Sequence, residues 1–219
     1  MNNFNINKNS TQCGRSMIEM LGVLAIVGVL SVGGIAGYSK AMEKFKINKT
    51  AEQISHIATN IRTLYAQQTT YKGLTTSTAI DMGVIPSDMA SFSTSSVKNQ
   101  FNGESWVGAA LTSYNEDYKY FAIVYEGLSK NACMTLSTMD WGTTYSSGLI
   151  ALGVGSDRIY SEGWKPSPWD AREPISSNFE ENIYNGTLFG TGKLPLNVAK
   201  ASQLCNCPNN TCQFVLLYQ

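Results

Sequence analysis

From Met17 to Ile35 the chain runs for nineteen residues almost without a polar side chain, and the only charge among them is Glu19. A helix needs about 20 apolar residues to cross a bilayer core, so residues 15–37 are predicted to span a membrane. The run is longer than the apolar core of a secretory signal. Past Gly37 the pattern becomes amphipathic. Ile47, Ala51, Ile54, Ala58, Ile61 and Tyr65 recur at three- and four-residue steps, Ile57 and Leu64 widen the stripe, and Lys49, Glu52, Asn60 and Arg62 fall between them. That period predicts a helix with one face packed on a domain. No Pro interrupts the stretch between Arg15 and Gln68. The two segments are therefore predicted as one helix over 15–68, roughly 80 Å long at about 1.5 Å per residue. Gly28, Gly33, Gly34 and Gly37 each weaken a helix by about 1 kcal/mol relative to Ala. They also permit close packing between membrane helices.

The remaining residues, 69–219, are predicted as a globular domain. Residues 69–105 are loop-like, with a short helix at Thr76 to Met82. Trp106 to Ser113 and Tyr118 to Tyr125 are β-branched or aromatic and flank a turn at Asn115-Glu116-Asp117, which predicts a hairpin. Ser129 to Thr138 is predicted as a second short helix, Gly148 to Val154 as a strand, Leu196 to Leu204 as a helix and Cys212 to Tyr218 as a closing strand. Residues 155–194 show no clear period. Helix first, then hairpin and closing strand, predicts an α+β fold in which an antiparallel sheet lies on the amphipathic half of the long helix.

Length fits one modest domain plus an appendage. With 16 basic and 16 acidic residues the formal net charge is zero, which gives no electrostatic footprint for nucleic acid, and no nucleic-acid partner is expected. Lys8 and Arg15 ahead of the apolar run favour a cytoplasmic N-terminus, although Lys40, Lys44, Lys46 and Lys49 on the far side weaken that inference.

Glu19 is the residue that calls for an explanation. A charge in the bilayer costs about 2.5–3.5 kcal/mol on insertion scales, so an intramembrane acid is a functional candidate. Gly14, then Arg15 to Glu19, then an uninterrupted apolar helix resembles the processing and assembly signature of type IV pilins. The resemblance implies a hydrophilic leader, 1–14, removed by a prepilin peptidase between Gly14 and Arg15. Arg15 would become the methylated N-terminal residue and Glu19 the fifth residue of the mature chain. Most family members carry Phe, Met or Leu where this chain has Arg15. Pilin-like subunits of type II secretion share the motif. Beyond residues 14–68 the resemblance is architectural, to type IVb-like pilins whose C-terminal part is closed by a disulfide.

Of the five cysteines, Cys13 lies in that leader, which leaves Cys133, Cys205, Cys207 and Cys212. An even number behind a membrane anchor favours two disulfides over a metal site, since structural zinc usually takes paired C-x2–4-C knuckles. A Cys205–Cys207 bridge across one residue would be strained. Cys207–Cys212 across the Pro208 to Thr211 turn, with Cys133–Cys205 as a long staple, is the favoured pairing, and the crossed alternative stays open. No apolar stretch precedes Cys13, which argues against a lipoprotein signal.

Enzyme-like strings fail on inspection. Gly190-Thr191-Gly192-Lys193 lacks the first glycine of a phosphate loop, and Leu194 replaces the Ser or Thr that would bind magnesium. Ser95 and Lys98 lack the partner motifs of their enzyme class. His56 is the chain's single histidine and is expected to be structural or exposed. Asp157, Glu162, Asp170 and Glu173 lie among Trp164 and Trp169, as a binding rim or a packed loop. No enzyme activity, cofactor or metal is expected.

What the resemblance implies is a structural subunit: anchored in the inner membrane as a precursor with its globular domain periplasmic, then polymerised into an extracellular pilus. Its partners would be membrane lipid, the prepilin peptidase, the pilus assembly platform and further copies of itself in a homo-oligomeric filament. The competing readings are a minor pilin or type II secretion pseudopilin, and a signal-anchored periplasmic binding domain or enzyme.

Overall fold

The structure is a computed structural model that describes residues 17–91, 96–110, 118–142, 147–156, 180–183 and 186–219. It divides into two compact units, Met1–Met42 and Glu43–Gln219, and helix α1, Met17–Leu64, contributes to both. Arg15 and the hairpin turn expected at Asn115 to Asp117 lie outside the described residues.

In the second unit, α1 buries Ile47, Ile54, Ile57, Ala58 and Ile61, all from the predicted stripe, together with Thr50 and Gln53. Ala51 and Tyr65 are half-buried. Leu64, expected to widen the stripe, is instead 49% exposed. It lies three residues past the deeply buried Ile61, at the end of the helix. Thr50 and Gln53 were not anticipated, because a period count treats polar residues as solvent-facing. Gln53 Nε2 donates to Asp88 at 3.1 Å.

The sheet has eight strands, all neighbours antiparallel: β1 Ala90–Ser91, β2 Ser96–Lys98, β3 Glu104–Ala110, β4 Tyr120–Leu128, β5 Leu149–Gly155, β6 Glu180–Ile183, β7 Gly186–Gly190 and β8 Cys212–Tyr218. Their spatial order is β1-β2-β3-β4-β8-β5-β7-β6. The last strand in sequence thus sits at the centre, between β4 and β5. β5 and β8 are buried at all seven positions each, which is why LIALGVG and CQFVLLY read as unbroken apolar runs.

Successive side chains on a strand point to opposite faces, and the core divides accordingly. Phe121, Ile123, Tyr125, Phe214 and Leu216 join the α1 residues in one cluster. Tyr120, Ala122, Val124, Val215 and Leu217 form a second. Pairing between β5 and β8 slips between Leu149 and Ala151. The extra residue puts Ile150 and Ala151 in the same cluster instead of on opposite sides.

Three short helices complete the described fold. α2, Thr76–Asp81, opens with a capping box in which Thr75 and Thr78 satisfy each other's backbone amides. α3, Lys130–Thr138, is capped by Ser129, and α4, Val198–Leu204, by Asn197. The irregular reading of residues 155–194 is corrected at its end, where β6 and β7 pair. Their four and five residues carry no alternating pattern, so periodicity missed them. The Asn185-Gly186 dipeptide was the available hairpin signal.

Burial lifts the Tyr125 and Tyr218 phenols well above their usual range. The Asp88 charge adds to the effect at Tyr125, and Arg62 partly opposes it at Tyr218. Both phenols titrate higher in the folded than in the unfolded chain. Their contribution to stability is therefore complete below about pH 10 and is lost as pH rises further. Phenolate absorbance during an alkaline titration should show these two groups ionising only as the fold is lost; ionisation near their ordinary value in the folded chain would contradict their burial. Ile54→Ala should cost about 2–5 kcal/mol, while Leu64→Ala stays within about 0.5 kcal/mol. Denaturant unfolding of both full chains in one detergent checks the difference.

Candidate functional site

The first unit presents the candidate site. From Met17 to Ala41 every residue of α1 is exposed, including Met17 at 82%, Ile18 at 78% and Val29 at 75%. By length and composition this is a helix able to cross a membrane. Burying one such side chain is worth about 1.5–3 kcal/mol, so the exposed set constitutes a large drive to leave water. The polar groups on it are prepared for an apolar medium. Ser31 Oγ donates to Val27 O at 2.7 Å and Ser39 Oγ to Ile35 O at 3.0 Å, which satisfies both hydroxyls within the helix itself. At Gly22, Gly28, Gly33, Gly34 and Gly37 nothing lies within 4 Å of where a Cβ would stand. No contact among the described residues requires these glycines.

Glu19 stands exposed in the first turn of α1. The helix dipole favours a carboxylate there by about 0.3–1 kcal/mol, less than the about 2.5–3.5 kcal/mol that a charge costs in lipid. For Glu19, helix geometry alone does not offset that cost, which in a bilayer is removed only by pairing with a cation or by protonation. Its neighbours one turn on are Gly22 and Val23, and Ile26 follows at the next, so the carboxylate lies on an otherwise apolar face. Gly14 and Arg15 are outside the described residues.

The cysteines lie in the second unit. Cys133 is bridged to Cys205, with Cα atoms 5.8 Å apart and a sequence separation of 72. Cys207 is bridged to Cys212, with Cα atoms 5.4 Å apart and a separation of 5. Sγ atoms of Cys133, Cys205 and Cys212 lie within 4.8 Å of one another and all are buried. Each is committed to a bridge, so this cluster offers thiolates to a metal only after reduction. The long bridge joins α3 to the C-cap of α4. α3 is also tied to α1, because its cap Ser129 donates to Glu43 at 3.2 Å. Sequence reasoning missed that role for Glu43; Ser129 before a helical run was the cue.

The remaining candidates are not brought together. His56 is exposed and contacts Asn60 one turn along α1. Thr191–Lys193 forms a single 3-10 turn after β7, and Lys98 ends β2. Ser95, Asp157, Glu162, Trp164, Trp169, Asp170 and Glu173 lie outside the described residues. In the chain-entropy model the long bridge stabilises by about 4 kcal/mol and the short one by about 2 kcal/mol. Denaturant unfolding of the Cys133→Ala/Cys205→Ala and Cys207→Ala/Cys212→Ala chains should show losses in that order; the reverse order would contradict it.

Comparison with known proteins places this arrangement. A family model described as PilS N terminal matches residues 44–171. The major structural subunit of bundle-forming pilus from Escherichia coli O127:H6 is 29% identical over 131 residues, 60% of this chain and 66% of that protein. The toxin coregulated pilin of Vibrio cholerae is 28% identical over 139 residues, 60% of this chain and 59% of that protein. The chain thus spans just under two thirds of the length of the first of these relatives. A crystal structure of a type IV b pilin from Salmonella typhi is 16% identical and superposes with a TM-score of 0.46, covering 75% of this chain and 95% of that one. With more than half of its length matched by the family model, the chain belongs to the PilS N-terminal family.

Proposed function

We propose that the protein is a structural subunit of a type IV pilus, polymerised through the first part of α1. The observation that carries this reading is the wholly exposed apolar stretch with one carboxylate, Glu19, in its first turn. Such a surface is stable in two settings, a bilayer before assembly and a bundle of like helices afterwards. The names of the two relatives, a major structural subunit of a pilus and a pilin, support the same assignment.

In this proposal residues 1–14 are a leader, and a prepilin peptidase in the inner membrane cuts between Gly14 and Arg15. Residues 15–37 hold the precursor in the membrane, with the globular domain on the periplasmic side. An assembly platform then extracts the subunit. Glu19 of the incoming copy pairs with the N-terminal amine of its neighbour at Arg15, methylated or not. An uncompensated carboxylate among apolar helices is costly, and docking against a cation removes that cost. The pair sets register more than it adds raw affinity. The filament is extracellular, and the second unit forms its surface. The role is structural and involves no catalysis.

The test is intact mass of the protein in membrane and sheared-surface fractions, from wild type and from Glu19→Ala. Wild-type chains in sheared filaments should begin at Arg15. Glu19→Ala chains should also begin at Arg15 but stay in the membrane, with filament yield reduced about a hundredfold or more. A surface chain still beginning at Met1 would overturn the leader assignment. Normal filaments from Glu19→Ala would overturn the pairing.

A further inference from the structure

Cys133 and Cys205 form one bridge, yet Cys212 Sγ, which belongs to the other, lies within 4.8 Å of both of their sulfurs. The fold brings the three together from separate elements. Cys133 is on α3, Cys205 is the C-cap of α4 and Cys212 is the first residue of β8. Cys212 Sγ is also 3.6 Å from the Cys205 carbonyl oxygen. A disulfide is opened by a thiolate that reaches one of its sulfurs. A third sulfur held beside a bridge therefore becomes an attacking group from the moment its own bridge opens.

Access to the four cysteines is unequal. Cys133 and Cys205 are 0% exposed and Cys212 is 1% exposed, while Cys207 is 8% exposed. Cys207 stands at the start of the Pro208–Asn210 turn, between the exposed Asn206 and Pro208. A small thiol from solvent thus meets the short bridge first, on its Cys207 side. Its attack joins it to Cys207 as a mixed disulfide and expels Cys212 as the thiolate. The expelled sulfur stays buried, beside the long bridge.

The surroundings distinguish the two sulfurs of that long bridge. Ser137, fully buried on α3, donates its hydroxyl to Cys133 O at 2.6 Å, and the same Oγ lies 3.9 Å from Cys205 Sγ. Rotation about the Cβ–Oγ bond turns that proton toward Cys205. A hydrogen bond to the charged form favours it, so Cys205 is the sulfur better prepared to leave as a thiolate.

We propose that Cys133, Cys205 and Cys212 form an internal disulfide relay, in which opening the short bridge at Cys207 passes the long bridge from Cys133–Cys205 to Cys133–Cys212. The Cys212 thiolate attacks Cys133 Sγ. The Cys133–Cys212 bond forms as the Cys133–Cys205 bond breaks, and the electron pair leaves on Cys205 Sγ beside Ser137. This step is an exchange with no net oxidation or reduction. The one co-reactant is the small thiol, which remains on Cys207. The exchange stops there, because attack of Cys205 on Cys207 would make a strained bridge across one residue. Run backwards, it expels the thiol and restores both bridges. Throughout, α3 stays covalently tied, first to the end of α4 and then to the central strand β8. A single solvent thiol rearranges the staple without releasing it.

The test uses the full chain in detergent micelles at about pH 8.5, the ordinary thiol value, and does not depend on polymerisation. Wild type is treated with reduced glutathione, then quenched and alkylated with N-ethylmaleimide at mildly acidic pH. Bridges and labels are mapped by peptide mass spectrometry without reduction, with fragmentation to separate Cys205, Cys207 and Cys212, since no Lys or Arg follows Lys200. Reacted chains should carry glutathione on Cys207, maleimide on Cys205 and a Cys133–Cys212 bridge. Cys207→Ser frees Cys212 with no added thiol and should give the same label and bridge; wild type covers the case in which that variant does not fold. Adding Ser137→Ala to Cys207→Ser should lower the ratio of label on Cys205 to label on Cys212 about tenfold, as loss of a hydrogen bond to a charged group implies. Label confined to Cys212, with Cys133–Cys205 intact, would overturn the relay. So would label on Cys133 with a Cys205–Cys212 bridge, or glutathione found on a cysteine other than Cys207. An unchanged ratio in the folded double variant would remove Ser137 from the mechanism.

Discussion

Removal of apolar surface from water is the constraint on which the rest of this molecule depends, and α1 meets it in two ways. In the second unit Ile54, Ile57 and Ile61 are removed from water by the chain's own sheet. In the first unit Met17 to Ile35 are exposed, with no cover from the described residues of that unit, and such a surface calls for an apolar medium. The other features follow from these two conditions. Serine hydroxyls turned back onto the helix backbone and glycines that face no neighbour among the described residues belong to a surface suited to an apolar medium. Capped short helices, two disulfides and a sheet buried on both faces belong to a domain that must hold together in water.

The long helix and the central strands were legible in the sequence because both consist of residues whose apolar character is unconditional. The stripe on α1 and the runs in β4, β5 and β8 have few alternative uses. The edges of the sheet were not legible. β1 and β2 are two and three residues long, and β6 reads Glu180-Glu181-Asn182-Ile183. Short polar strands are defined by the neighbour they pair with, a property of the fold and not of the segment. Gln53 was hidden for a related reason: a polar side chain is buried when a partner such as Asp88 awaits it, and that partner lies 35 residues away in sequence.

Of the candidate site, Glu19 was legible from charge alone, as the single acid in an apolar run. The seating of Arg62, whose Nη1 donates to Ser147 O at 2.8 Å, was not. In sequence Arg62 is one polar residue on the solvent side of an amphipathic helix. Its seating comes from Ser147 and Gly148, more than eighty residues away. Long-range convergence of this kind leaves no local period to read.

The position of β8 carries a consequence for how the protein is made. β4 and β5 each pair with β8 and not with one another. Until residues 212–218 are available, β1–β4 on one side and β5–β7 on the other are two separate ribbons, each with an open inner edge of unpaired backbone amides and carbonyls. The domain therefore cannot mature progressively from its N-terminal end during synthesis; its centre is the last part to be supplied. A nascent or truncated chain presents two adhesive strand edges to whatever is nearby, and long-range strand pairing is slow by nature. Safe production of this subunit thus rests on keeping the unfinished chain away from its own kind for the interval between the emergence of β4 and the arrival of β8.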